Sequence, residues 1–68
     1  MKFEYDDDVD AAYIYIEYPL SDGEVKKTIE INDNIILDFS EDNKLLGVEI
    51  LNANKVLNKK AILDSKKN

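Results

Sequence analysis

The carboxylates come first, because little else in this chain can do chemistry. Asp6, Asp8 and Asp10 form D-x-D-x-D, the opening of a calcium-binding loop. An EF-hand needs Gly at the sixth position of that loop, a bidentate Glu at the twelfth, and helices on both sides. Here the sixth position is Ala11, the twelfth is Glu17, and a strand-like segment follows, so the EF-hand is rejected. A looser Ca²⁺ or Mg²⁺ site at Asp6, Asp8 and Asp10 stays open, against an Asp-rich turn that keeps a sheet edge soluble.

Asp38 and Glu49 are a second pair, expected across one hairpin and on one face with Tyr13 and Tyr15. Paired carboxylates do acid–base work only in a pocket that excludes water and separates their pKa values. A chain of 68 residues has little material for such a pocket. Ser21, Ser40 and Ser65 have no evident base, and two Gly cannot build a phosphate-cradling loop. His, Cys, Trp and Arg are all absent. That removes ordinary zinc, copper, haem and iron–sulfur ligation, thiol nucleophiles and imidazole bases. The expectation is a chain without catalytic activity or cofactor of its own, a composite site across a subunit boundary being the one route left to catalysis.

Charge narrows the partners. The net charge is −6 at pH 7, but it is unevenly placed. Residues 1–52 carry four Lys against fourteen acids, a balance of −10, and residues 53–68 carry five Lys against Asp64 alone. The acidic part is unsuited to a nucleic-acid backbone, and five Lys without Arg or interleaved aromatics make a poor nucleic-acid site. A basic protein is the partner such a surface attracts. The opening residues Met1-Lys2-Phe3-Glu4-Tyr5-Asp6 turn acidic too early for a signal peptide, and no apolar run nears membrane-spanning length. A cytoplasmic protein without disulfides is the expectation.

These residues need a frame, and the sequence describes one. Short strands are predicted at about 3–5, 11–18, 24–32, 35–39 and 45–51, separated by Asp-, Asn-, Ser- and Gly-rich turns. Along 11–18 the alternation is explicit: Ala12, Ile14, Ile16 and Tyr18 point one way, and Ala11, Tyr13, Tyr15 and Glu17 the other. From Asn52, read as an N-cap, the apolar period becomes helical through Ala53, Val56, Leu57 and Ala61, predicting one helix over about 53–63. Residues 65–68 are expected to fray. The fold class is α+β: a five-stranded antiparallel meander as a single domain, with its C-terminal helix on the face of Ile14, Ile16, Ile29, Ile31, Leu37, Val48 and Ile50. The opposite face then carries Tyr13, Tyr15, Ile36, Leu45 and Leu51, an apolar patch of a size monomers seldom expose. A homo-oligomer, most simply a dimer, is expected, because a chain this small gains core area most readily by association, either by packing two such faces together or by pairing edge strands across a two-fold axis.

Two blocks of sequence are also familiar. Tyr5-Asp6-x-x-x-Asp10-Ala11-x-Tyr13-Ile14 and the later Ile36-Leu37-Asp38-Phe39 … Leu46-Gly47-Val48-Glu49-Ile50-Leu51-Asn52-Ala53 resemble the small prokaryotic domain-of-unknown-function family 2283. Members open with Y-D-x-x-x-D-A-x-Y-I and close with G-[IV]-E-I-L-[DN]-A. The resemblance covers residues 3–57. It implies a strand-rich domain with a terminal helix, no established catalytic residues, and an antitoxin-like role in binding a protein partner.

Overall fold

The computed structural model describes residues 1–65. Five strands form one antiparallel sheet: β1 (Lys2–Asp6), β2 (Ala11–Tyr15), β3 (Lys27–Glu30), β4 (Ile35–Phe39) and β5 (Leu45–Leu51). Two short helices follow, α1 (Ala53–Val56) and α2 (Lys59–Ser65). The class is α+β, as the alternation predicts. Beyond Ser65, which ends α2, the expected fraying of 65–68 lies outside the described residues.

The order of the strands corrects the expected meander. It is β1-β2-β5-β4-β3, so β5 lies between β2 and β4, and β2 never meets β3. Only β1–β2, β3–β4 and β4–β5 are hairpins. Residues 16–26, read as the ends of two strands around a tight turn, instead cross from one part of the sheet to the other. The crossover leaves β2 through a bulge, where Ile16 and Glu17 both donate their N–H to Leu46 C=O, at 2.9 and 3.2 Å. It enters β3 with Lys26 N–H donated to Phe39 C=O at 2.9 Å. This routing puts the longest strand at the centre, where the sheet covers both its edges.

Register sorts the side chains. Phe3 pairs with Ile14, Ile14 with Val48, Val48 with Leu37, and Leu37 with Ile29, which makes one apolar face. The helices contact this face over β1 and β5. The core lies there: Ala12, Ile50, Ala53 and Ile62 are buried together, with Phe3, Tyr5, Val56 and Leu57 packed around them. Ile29 and Ile31, expected in the core, are 42 % and 57 % exposed because, among the described residues, the helices pack over β1 and β5 rather than β3.

The single expected helix is broken. Leu57 is extended (φ −103°, ψ 147°), and Asn58 restarts the chain as an N-cap, its Oδ1 accepting from Lys60 and Ala61 N–H at 3.1 and 3.3 Å. Nor does Asn52 cap α1 with its side chain. It sits in the left-handed region (φ 52°), and its Nδ2 donates to Asn34 Oδ1 at 3.0 Å.

Candidate functional site

The face away from the helices collects most of the side chains singled out in the sequence. Tyr13 pairs with Glu49, Glu49 with Ile36, Ala11 with Leu51, and Thr28 with Asp38. Tyr13, Tyr15, Ile36 and Leu51 therefore share this side. Leu45 does not join them. A register shift at Asp38/Phe39 sets Leu45 opposite Phe39, in the column that runs through Leu37 and Ile35 on the helix side.

Tyr13 organises the centre. Its hydroxyl donates to Asp38 Oδ2 at 2.7 Å, and Thr28 Oγ1 donates to Asp38 Oδ1 at 2.9 Å. To reach Asp38 the ring lies across Gly47, where an added Cβ would stand 2.2 Å from the Tyr13 oxygen. Gly47 is thus required by a close approach, not by its backbone angles, for its φ is not positive. Partial burial, then the hydrogen bond to Asp38, pushes the Tyr13 phenol well above its ordinary value, so it stays a neutral donor. Asp38 and Glu49 share the face as expected. Asp38, however, is held by two hydroxyl donors, and among the described residues no second carboxylate bonds it.

The aromatic rings continue outward. Tyr13 and Tyr15 meet edge to face with centroids 4.7 Å apart, and Tyr15 meets Tyr18 at 5.1 Å. Lys2 Nζ lies 4.4 Å above the Tyr18 ring and 3.5 Å from Glu4. A hydrogen bond with Glu4, then desolvation, raises the Tyr15 phenol. The crossover adds two more acids, Glu17 and Glu24. A hydrogen bond between them raises Glu17 and lowers Glu24. A hollow of about 800 Å³ takes residues from both faces, Phe3 and Tyr5 with Glu4 and Tyr13. It wraps the shoulder of the edge strand β1 and encloses no reaction chamber.

The aspartate loop is divided. Asp6, Asp7 and Asp8 bring carboxylate oxygens within 4.8 Å of one another, and all three are exposed. Asp6 Oδ1 accepts Asp8 N–H at 3.0 Å, which is a turn-forming bond. Asp10 belongs elsewhere. It is left-handed (φ 52°), and its Oδ1 accepts from Tyr5 Oη at 2.8 Å, from Asn54 Nδ2 at 2.8 Å and from Asn54 N–H at 3.2 Å. Its carbonyl accepts Ala53 N–H at 2.9 Å. Asp10 therefore caps α1 across the fold, the task the sequence assigned to Asn52. The Tyr5 hydroxyl, then Asn54, holds the Asp10 carboxyl below the usual range. Tyr5 and Asn54 were not singled out as a unit. Their signal was present in the Y-D-x-x-x-D block, but the partner lies 44 positions further along.

Comparison with known proteins places the chain in a family. A family model described as "Protein of unknown function (DUF2283)" matches residues 2–54, which include Tyr5, Asp10, Tyr13, Asp38, Gly47 and Asn54. An uncharacterised protein of Methanocaldococcus jannaschii is 40 % identical over 58 residues, covering 85 % of this chain and 46 % of the relative. The chain thus spans a little under half the length of that relative. No solved structure gives a significant match. Among the described residues no helix is long and apolar enough to cross a membrane. With the family model matching over most of the sheet and into α1, the chain belongs to the DUF2283 family of proteins of unknown function.

Proposed function

We propose that this chain is a non-enzymatic, acidic interaction module of the cytoplasm, antitoxin-like in neutralising a basic protein partner on its tyrosine–carboxylate face. The observation that carries the reading is what that face presents. Register places Glu4, Asp6, Glu30, Asp38 and Glu49 on it, with Lys2 the single cation among its strand residues. Tyr13 and Tyr15 supply rigid area that is apolar in the ring and polar at the tip, the composition found where proteins meet. The field of such a face speeds encounter with a positive partner and makes the rate fall with salt. Two copies are poorly suited to pack there, since carboxylates would meet carboxylates.

The test is capture of partners by tagged protein at low and moderate salt, with identification of what is bound. A stoichiometric basic partner is expected, retained by wild type and weakened in Glu4→Lys, an exposed position on β1. No partner at either salt, or one held equally by the variant, overturns the reading. A divalent-cation domain is the second reading, supported by the proximity of Asp6, Asp7 and Asp8. With Asp10 engaged by Tyr5 and Asn54, Asp7 takes its place beside Asp6 and Asp8. Calorimetric titration with Ca²⁺ and Mg²⁺ decides it: a saturable heat abolished by Asp8→Asn favours the cation.

A further inference from the structure

The outer strand β3 is exposed at every residue, and it borders the half of the apolar face that the helices leave bare. Ile31 N–H donates to Ile35 C=O at 2.8 Å, which fixes the phase of the β3–β4 ladder. With Ile29 opposite Leu37 and Lys27 opposite Phe39, the odd residues bond inward, and the backbone groups of Thr28 and Glu30 face out. An edge of this kind is a template for another strand.

We propose that two copies of this chain join edge to edge through β3, antiparallel, about a two-fold axis at Ile29. The register follows from elimination. If both sheets are to keep their helices on the same side, odd residues must face odd residues and even residues even. Centring on Glu30 would set Glu30 against Glu30, a like-charge pair. Centring on Thr28 would call on Lys26 N–H, which is already donated to Phe39. Centring on Ile29 sets Thr28 opposite Glu30 in both directions and uses every outward group, for about four backbone hydrogen bonds.

The side chains fit the same register. Ile29 meets its symmetry mate at the axis, and Lys27 lies opposite Ile31, its aliphatic stem over the exposed ring of apolar surface. Lys26 comes diagonal to Glu30 on the other face, an opposite-charge neighbour. Ile29 and Ile31, both exposed in one copy, become the centre of a shared apolar strip. The strand is thus complementary to itself in charge and in shape, which points to a second copy as its occupant. This deepens the interaction-module reading by giving the assembly, and leaves the tyrosine–carboxylate face open for the partner.

Sedimentation and cross-linking of the purified chain test it without any partner, so failure here is separate from failure of the capture assay. Wild type is expected to sediment at twice its 7.8 kDa mass at micromolar concentration. The chain has no cysteine, so Ile29→Cys gives a clean reporter: mild oxidation should yield a covalent dimer, while Tyr15→Cys should not. Glu30→Pro removes only an outward N–H and should leave a folded monomer by circular dichroism. A wild type that stays monomeric at all concentrations overturns the proposal. So does a dimer that survives Glu30→Pro and cross-links at Tyr15→Cys.

Discussion

The two halves of the apolar sheet face carry the same kind of side chain and differ in what lies over them. Across β1, β2 and β5 the helices close the face, and every buried hydrophobic side chain, Ala12, Leu46, Ile50, Ala53 and Ile62, belongs to β2, β5 or the helices. Across β4 and β3 the isoleucines alternate just as regularly, yet Ile29 and Ile31 stand largely in water. Alternation therefore tells which way a side chain points and not what meets it. The covered half supplies stability, and the bare half supplies a surface.

The largest effect that separates the halves comes from truncation. Ile50→Ala empties a buried site and is expected to cost about 2–5 kcal/mol, enough to threaten a domain this small. The same truncation at Ile31, made in the monomeric Glu30→Pro background, should stay within about 0.5 kcal/mol. Urea unfolding of both variants measures the contrast, and equal losses would erase it. Next in size is Gly47→Ala, whose new Cβ collides with the Tyr13 ring and should cost about 1–3 kcal/mol. Tyr13→Phe keeps the ring, removes only the bond to Asp38, and should cost roughly 1 kcal/mol. If the phenylalanine variant lost as much as the alanine one, the hydroxyl and not the packing would dominate that site.

The smallest effect is a slope with pH. The Asp10 carboxyl is lowered in the fold, so its contribution is complete above the ordinary carboxylate value of 3.8 and is lost as pH falls through the lower folded value. Asp10→Asn should flatten this acid limb of the stability curve. Tyr13 and Tyr5 are raised above 10.0, so above that pH the unfolded chain ionises first and stability should fall. Thermal midpoints of wild type and Asp10→Asn across acid pH give the comparison.

Much of this frame is legible in the residues. Strand positions, the split of Ile14 from Tyr13 and Tyr15, and the turns at 32–34 and 40–44 rest on local chemistry, and local chemistry is what a sequence displays. Asn32 Oδ1 accepts Asn34 and Ile35 N–H, and Ser40 Oγ accepts Lys44 N–H, as turn-forming side chains do. The insertion of β5 was not legible, because pairing between strands distant in the chain leaves no local mark. One sign was there: Leu45–Leu51 is the longest strand and carries apolar side chains on both faces, as a strand inside a sheet does. The bulge that turns Leu45 away had no sign at all. Asp10 was misread for a similar reason. Its neighbours suggested a loop for cations, while its bonds run to Asn54 across the fold.

That bond also orders events in time. β1–β2 and β3–β4–β5 are hairpins that can each pair as soon as they are made, whereas the joining of β2 to β5 must wait for both. Asp10 and Asn54 meet only after that docking, with loop closure over most of the chain already spent. Their bond is therefore expected to close late, on the downhill side of the folding barrier. Asn54→Ala should accelerate unfolding and leave the refolding rate nearly untouched, a pattern that a chevron of rates against urea displays directly. A family block that reads as an aspartate-rich turn would then be kept for how long the fold lasts, not for how fast it forms.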